Sequence, residues 1–249
     1  MRILLLGEYS RLHNSLKEGL QLLGHEVIVV GGGDGFKAFP VDYYVGIRWA
    51  EKNFLLKKLR ILIFKISGND PGKWENWFRF LRIKKHLKGF DVVQFINSDA
   101  LQLPLPVQKR FFRFIQKNNS HLHLLICGSD TPVIEKNLQG VPAFSILTPY
   151  IKGSVSKEQL SYHFDYLKPG YVKYFRFFEK QVGKMLVSDI DYLLPMQDHP
   201  KFAGLIPNPI NTDKIKYKPL KINGPVVIFH GVNRSGAIKK GNFYFERAL

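Results

Sequence analysis

Two short stretches, each following an apolar run, carry residue types that could bind or act on a ligand. They are Gly7-Glu8-Tyr9-Ser10 and Cys127-Gly128-Ser129-Asp130. Ligands of open α/β sheets bind in loops that follow strands, and free N–H groups at a helix start attract anions. We predict that Gly7, Glu8, Tyr9 and Ser10 contact substrate, with a plain tight turn as an equal alternative. Asp130 is predicted as a catalytic carboxylate that orients a hydroxyl group or helps to position a base, with turn capping as its alternative.

A third stretch near the carboxyl terminus combines cations with glycine. His230-Gly231-Val232-Asn233-Arg234 is followed by Lys239-Lys240-Gly241. An arginine and a lysine placed between a strand and a helix can clamp a diphosphate, and the helix dipole adds to the attraction. The pattern predicts an anion-binding corner.

The glycine-rich stretch Gly31 to Gly35 leaves three interpretations open. It could cradle a phosphate through its backbone, close over a substrate, or form a mobile surface loop, which is the interpretation we favour. The chain lacks a GxGxxG motif at its first strand, a P-loop ending and an HExxH or Cys/His cluster. We therefore predict no dinucleotide cofactor, no nucleotide hydrolysis and no metal. A single cysteine excludes an internal disulfide.

Hydrophobic periodicity predicts the elements that position these residues. An apolar run at Arg2 to Leu6 indicates a strand buried on both faces. Ser10 is the predicted cap of a helix that carries Leu12, Leu16, Leu20 and Leu23, and Gly24 would end it. Strands are also predicted at Glu26 to Val30, Asp91 to Ile96, Leu122 to Cys127 and Asp191 to Leu194. Helices are predicted near 73–87, 107–118 and 171–186, and 140–156 is expected to be loop with a short strand. This alternation predicts an α/β fold: a Rossmann-like, doubly wound parallel sheet.

A domain boundary is predicted near residue 207. Pro207-Asn208-Pro209 is stiff, and the residues up to Gly224 are polar and rich in lysine. We predict an N-terminal Rossmann-like domain at 1–206, a linker at 207–224, and the first strand and helix start of a second domain at 225–249. Because one strand and two helical turns cannot bury a core, we expect the sequence to be a fragment or an early truncation.

The charge of the chain restricts its partners. Lys and Arg number 37 against 20 Asp and Glu, which gives a net charge of +17. Such a surface attracts phosphate groups of ligands, lipids or nucleic acid. Three stretches interleave aromatic and basic residues: Trp74 to Lys88, Lys109 to Lys117 and Tyr171 to Lys184. They indicate either helices docked on an anionic membrane or helices whose aromatic residues face the core. We predict a cytoplasmic protein, peripheral on the inner face of the membrane, and nucleic acid is a less favoured partner.

The opening ILLLGEYSRLHNSLKEGLQLLGHEV, the GGGDGFK loop, DVVQFIN, and IPNPINTDKIKYKP with VVIFHGVNR and KKGN carry a family likeness. Together they resemble bacterial group 1 glycosyltransferases, family 4, of the GT-B architecture. The resemblance covers nearly the whole chain and is weakest between about residues 140 and 200.

The resemblance implies two Rossmann-like domains that face each other across a cleft, of which this chain holds the acceptor-binding one. It implies transfer of a sugar from a nucleotide-sugar to a saccharide or lipid-linked acceptor in polysaccharide biosynthesis, with retention of configuration and no cofactor beyond the nucleotide-sugar. Arg234 and Lys240 would bind the donor diphosphate. The family's Glu-rich donor motif would lie beyond Leu249, so this chain alone is expected to be inactive. The alternative is a non-catalytic basic module that binds an anionic polymer or nucleic acid.

Overall fold

A computed structural model describes residues 1–219, 223–231, 237–238 and 240–249. The chain divides into two compact units, Met1–Asn211 and Thr212–Leu249. The first unit alternates strands with helices. Its elements are β1 (Arg2–Leu6), α1 (Leu12–Leu22), β2 (Glu26–Gly31), β3 (Tyr43–Tyr44), α2 (Trp49–Lys52), α3 (Phe54–Ser67), α4 (Lys73–Ile83), β4 (Val92–Phe95), α5 (Leu105–Asn118), β5 (His121–Ile126), α6 (Thr131–Leu138), α7 (Thr148–Ile151), α8 (Ser161–Phe164), α9 (Pro169–Gln181), β6 (Lys184–Val187), α10 (Ile190–Met196) and β7 (Phe202–Leu205).

The seven strands form one parallel sheet in the order β3-β2-β1-β4-β5-β6-β7. The chain moves outward from β1 to β3, then returns to β4 on the other side of β1. This reversal creates a topological switch point between β1 and β4, beyond whose carboxyl ends ligands bind in such sheets. The predicted fold class, a Rossmann-like doubly wound α/β sheet, is confirmed.

Apolar residues bury both faces of the central strands. In β1, Leu4, Leu5 and Leu6 are each at most 1% exposed. Leu4 and Leu6 belong to the large core cluster on one face, while Leu5 packs on the other face with residues of β2. A strand covered by helices on both sides requires this continuous apolar run.

The aromatic residues of the three basic stretches contribute mainly to this core. Phe80 of α4 contacts Phe111 of α5 edge to face, with ring centroids 5.0 Å apart. Phe112 of α5 contacts Phe178 of α9 at 4.9 Å. All four rings are almost completely buried. On their inner faces, these helices therefore follow the alternative in which the aromatic residues face the core.

Four of the predictions made for elements of the first unit were wrong. Asp191 to Leu194 is part of helix α10, which Asp189 caps by accepting from the Ile190 N–H at 2.6 Å. The predicted helix at 171–186 ends at Gln181, and β6 follows. The stretch 140–156 contains helix α7 and no strand. Ser10 does not cap α1, because the N-cap residue is Arg11, which makes no side-chain capping bond.

The second unit contains one α-helix among its described residues, α11 (Asn242–Ala248). The sequence predicts a first strand and a helix start within 225–249, and α11 lies in that range. The apolar run Pro225 to Phe229 forms no strand, and Val227 and Phe229 are each 92% exposed. A strand needs a neighbour to pair with, and an apolar run cannot supply one by itself.

Within the described residues, no helix is both long and apolar enough to cross a membrane.

Candidate functional site

A cleft of about 670 Å³ opens at the carboxyl edge of the sheet. Its walls come from β3, from the residues that follow β1, β2 and β3, from the loop after β4, and from α2, α3 and α4. The described residues that line it are Glu8, Tyr9, Gly32, Asp34, Gly35, Phe36, Tyr44, Val45, Gly46, Ile47, Glu51, Arg60, Asn76, Ala100, Leu101 and Gln102. The volume suits a small organic ligand, and the position is that of the switch point.

Gly7 lets the chain pass between neighbouring loops at this edge. Its φ is +89°, and a Cβ added there would lie 2.3 Å from Cγ2 of Ile96 and 3.0 Å from the carbonyl oxygen of Ala100. His13 of α1 supports the turn from below, with Nδ1 2.7 Å from the Gly7 oxygen and Nε2 3.1 Å from Nε2 of Gln94. Because the carbonyl only accepts, His13 donates from Nδ1 and accepts at Nε2. Burial lowers the pKa of His13 to about 4, which keeps the ring neutral.

Glu8 is 2% exposed, and its two carboxylate oxygens differ in their hydrogen bonding. Its Oε2 accepts from the backbone N–H of Asn14 at 2.8 Å and from Nδ2 of Asn14 at 2.6 Å, which satisfies an N–H in the first turn of α1. Its Oε1 is buried and has no hydrogen-bond partner among the described residues. Burial raises the pKa of Glu8, although the hydrogen bonds from Asn14 oppose that shift.

Asn76 presents a second buried acceptor from α4. It is 2% exposed, and its Nδ2 donates to the carbonyl oxygens of Leu101 and Gln102, each at 3.1 Å. These two bonds fix the amide orientation and leave Oδ1 buried with no partner in the described part of the chain. An unpartnered buried acceptor costs about 1–3 kcal/mol, so two of them on side chains that line one cleft require an explanation.

The glycine-rich loop after β2 closes against the loop after β1. Asp34 accepts from the Ser10 N–H at 2.8 Å and pairs with Lys37 at 2.7 Å. Gly31 packs so closely that an added Cβ would lie 3.0 Å from the Glu8 nitrogen. Three residues here adopt positive φ although they are not glycine: Ser10 (51°), Arg11 (67°) and Asp34 (58°). Strained backbone of this kind clusters at binding sites.

The cleft is acidic although the chain is strongly basic. Three carboxylates, Glu8, Asp34 and Glu51, lie among its described lining residues, against one guanidinium. That guanidinium, on Arg60, is already held by Asp70 at 2.6 and 2.7 Å and by Glu51. A phosphate or carboxylate would therefore find no unpaired cation among the described lining residues, whereas a hydroxyl or ammonium group would find acceptors.

Asp130 lies beside the switch point and is fully buried. Its carboxylate accepts from the Ser98 N–H at 2.8 Å, from the Ser98 hydroxyl at 2.7 Å and from the Thr131 N–H at 2.9 Å. Burial raises its pKa to about 6 against these hydrogen bonds. These contacts cap α6 and join the loops after β4 and β5. They agree with the alternative that Asp130 caps the turn that follows it. Its catalytic role stays a prediction.

A partly buried ion pair extends this polar network toward α9. Lys73 contacts Asp99 at 3.1 Å and the Tyr171 hydroxyl at 2.9 Å, and Gln108 also donates to Asp99. Burial alone would lower the pKa of Lys73, but the neighbouring Asp99 and Tyr171 raise it above its usual value. Lys73 is therefore a fixed charge that joins α4 to the loop after β4.

The predicted site residues belong to different units of the structure. Gly7, Glu8, Tyr9 and Ser10 lie at the cleft or on the loop that borders it. Lys240 is exposed in a turn of the second unit, directly before α11. Arg234 lies outside the described residues, so diphosphate binding by this pair stays a prediction.

Sequence reasoning missed Asn76 and His13. A polar amide inside the aromatic helix WENWFRF, and a histidine on the apolar face of α1, were available signals. Neither signal names the carbonyl groups that hold the side chain.

No family model matches the chain, and no curated protein matches it. Among solved structures it is similar to the 3-alpha-hydroxysteroid dehydrogenase from Pseudomonas sp. B-0831, complexed with NADH. The identity is 12%, the match covers 83% of this chain and 93% of that one, and the TM-score is 0.35.

These comparisons contradict the glycosyltransferase prediction. They return no glycosyltransferase, and the solved structure they return is a dehydrogenase that binds NADH. The predictions of sugar transfer in polysaccharide biosynthesis, of a nucleotide-sugar donor without another cofactor, and of a saccharide or lipid-linked acceptor were therefore wrong. The alternative of a basic module for an anionic polymer or nucleic acid gains no better support. At this identity and TM-score, the similarity assigns neither the dehydrogenase's activity nor its cofactor to this chain.

Proposed function

We propose that the first unit binds a small organic molecule that presents hydroxyl or ammonium groups, in the cleft at the switch point. The observation that carries this proposal is a pair of buried acceptor oxygens, Oε1 of Glu8 and Oδ1 of Asn76, on side chains that line one cleft. Neither oxygen has a hydrogen-bond partner among the described residues. A ligand that donates to both would offset a burial cost of about 1–3 kcal/mol for each oxygen.

The charges of the cleft support the same ligand chemistry. The carboxylates of Glu8, Asp34 and Glu51 outnumber the Arg60 guanidinium among the described lining residues. Arg60 is paired with Asp70 and Glu51, and Asp34 is paired with Lys37. Tyr9 adds a hydroxyl group that accepts from Gln102 at 3.4 Å and keeps its own proton, because burial raises its pKa. The predicted substrate contacts at Gly7 to Ser10 thus become contacts to a neutral or cationic ligand.

Substitution of Glu8 by Gln gives a sharp test because Asn14 fixes the orientation of the side chain. Both hydrogen bonds from Asn14 go to Oε2, so the amide oxygen of the variant must occupy that position. The amide NH2 then replaces Oε1, and a cleft acceptor becomes a donor. Glu26→Gln is the matched control, since Glu26 is an exposed residue at the start of β2, at the opposite edge of the sheet.

The assay is NMR of the side-chain amides of Asn14 and Asn76. The probes are myo-inositol and cyclohexylamine, with cyclohexanecarboxylate as the anionic match of the amine. We expect inositol and the amine to shift both resonances in the native chain and in Glu26→Gln, but not in Glu8→Gln. A response to the carboxylate alone would contradict the assigned ligand chemistry. If none of the probes shifts these amides, ordered water satisfies the two oxygens and the proposal fails.

We also propose that the protein associates peripherally with an anionic membrane. The observation that favours this is helix α3, which is rich in both apolar and basic residues and contains no buried residue.

A further inference from the structure

Helix α3 is well formed although none of its residues is buried. The Asn53 side chain caps its start by accepting from the N–H groups of Leu55 and Leu56 at 3.0 and 3.1 Å. Gly68, with φ of +66°, ends it by donating to the carbonyl oxygen of Phe64 at 2.8 Å. The sequence FLLKKLRILIFKIS is therefore a defined helix, and its exposed side chains form an ordered surface.

The exposed side chains of α3 are mainly apolar. Its fourteen residues comprise nine apolar residues, four cations and one serine. Leu55 is 73% exposed, Leu62 54% and Ile66 78%. An exposed apolar surface of this extent marks an interaction site.

Aromatic residues continue this surface on the neighbouring helices. A groove of about 590 Å³ between α3 and α4 is lined by Leu59 and Ile63 of α3 and by Trp74 and Phe78 of α4. Trp49 of α2 also lines the groove and is 62% exposed. Tryptophan is enriched where a protein meets the boundary between water and lipid. We call α3 with Trp49, Trp74 and Phe78 the α3 surface.

The positive charge of the α3 surface indicates which partner binds there. The helix carries four cations and no acidic residue. Lys57 is paired with Glu51, and Arg60 with Glu51 and Asp70, so Lys58 and Lys65 contribute most of its positive charge, and the whole chain carries +17. A second copy would bring the same positive charge, so electrostatics oppose self-association through this surface. An anionic lipid leaflet complements both the cations and the apolar side chains.

The length of α3 determines how it would lie. Fourteen residues of α-helix span about 21 Å, which is shorter than the hydrocarbon core of about 30 Å. The helix is therefore too short to cross a bilayer and instead suits the interface, parallel to the membrane plane.

We infer that the α3 surface docks the protein on an anionic lipid leaflet, with α3 among the headgroups and the switch-point cleft beside the membrane. The inference rests on the proposed peripheral association and names the surface responsible for it. The cleft would lie beside the membrane because Arg60 lines both the groove at the α3 surface and the cleft.

The test is cosedimentation of the full chain with vesicles of equimolar phosphatidylglycerol and phosphatidylcholine, and with vesicles of phosphatidylcholine alone. We expect binding to the anionic vesicles that weakens as salt rises. Leu55→Glu/Leu62→Glu should bind at least about tenfold more weakly, since it removes apolar contacts and adds negative charge. Leu22→Glu is the matched control, because Leu22 is also an exposed helical leucine, on α1, and it should bind within about twofold of the native chain.

Tryptophan fluorescence provides a second measurement on the same samples. Two of the three tryptophans, Trp49 and Trp74, belong to the α3 surface, while Trp77 is buried in the core. Anionic vesicles should shift the emission of the native chain to shorter wavelength, and lipids brominated on the acyl chains should quench it. Neither effect should occur with Leu55→Glu/Leu62→Glu.

Two results would overturn the inference. One is equal vesicle binding by the native chain and Leu55→Glu/Leu62→Glu, which would place the contact on another basic surface. The other is the absence of vesicle binding at low salt. This result would overturn the inference whether or not the native chain forms an oligomer that Leu55→Glu/Leu62→Glu breaks apart. The response of Asn76 to inositol should persist in Leu55→Glu/Leu62→Glu, and vesicle binding should persist in Glu8→Gln. The two proposals can therefore fail independently.

Discussion

Replacement of Gly7 by alanine tests whether close packing at the switch point positions the cleft. Gly7 has φ of +89°, and its added Cβ would lie 2.3 Å from Cγ2 of Ile96. Left-handed backbone costs an L-residue about 1–2 kcal/mol, and forcing a methyl group into a packed core costs about 1–3 kcal/mol. The expected loss in the free energy of unfolding is therefore the sum, about 2–5 kcal/mol.

Gly24→Ala separates the two contributions. Gly24 has φ of +81°, close to that of Gly7, but no heavy atom lies within 4 Å of its added Cβ. It should lose only the backbone part, about 1–2 kcal/mol. Urea unfolding followed by circular dichroism measures both variants, and equal m-values would show that the comparison is valid.

The thermal midpoint gives an independent measurement. For a domain of this size, each kcal/mol shifts Tm by about 2–4 °C, so Gly7→Ala should lower Tm by about 4–20 °C and Gly24→Ala by about 2–8 °C. Equal losses in the two variants would refute the argument, because they would mean that the contacts with Ile96 and Ala100 impose no cost.

Three further substitutions test other parts of the same edge. Asn76→Asp should lower the free energy of unfolding in urea by at least about 3 kcal/mol, because it turns two donated hydrogen bonds into repulsion between oxygens. A loss below about 1 kcal/mol, which is typical of an exposed site, would contradict the buried geometry. Asp130 has a pKa of about 6 in the fold and 3.8 as a free side chain, so its ionisation should reduce stability as pH rises from about 4 to about 7, by about 3 kcal/mol. The destabilisation caused by Asp130→Asn should therefore shrink by that amount over this range, and a difference that stays constant with pH would refute the shift. Gly19→Ala should stabilise the chain by about 0.5–1 kcal/mol in the same assay, since Gly19 is exposed in α1 and its Cβ would meet no atom within 4 Å; a loss of stability would show that α1 packs differently there.

The sequence alone was sufficient for the central elements of the sheet. β1, β2, β4 and β5 lie where largely apolar runs predicted them, because strands covered on both faces bury most of their side chains whatever their neighbours are. It was less informative for short apolar runs, where strand and helix share the same residue types. Asp191 to Leu194 became a helix because Asp189 caps it, and Lys184 to Val187 became β6 because β5 offers it an edge for pairing.

The candidate site, too, could be predicted only in part from the sequence. Its place after β1 could be predicted, since the order of strands and helices alone puts the loop after the first strand at the switch point of a doubly wound sheet. The chemistry of the cleft could not, because it depends on which donors reach each oxygen. Asn14 takes one oxygen of Glu8 and leaves the other, and the two carbonyl groups after β4 fix the Asn76 amide. These partners are distant in sequence or belong to other elements, so only tertiary packing could decide that a strongly basic chain has an acidic cleft lined by two unpartnered acceptors.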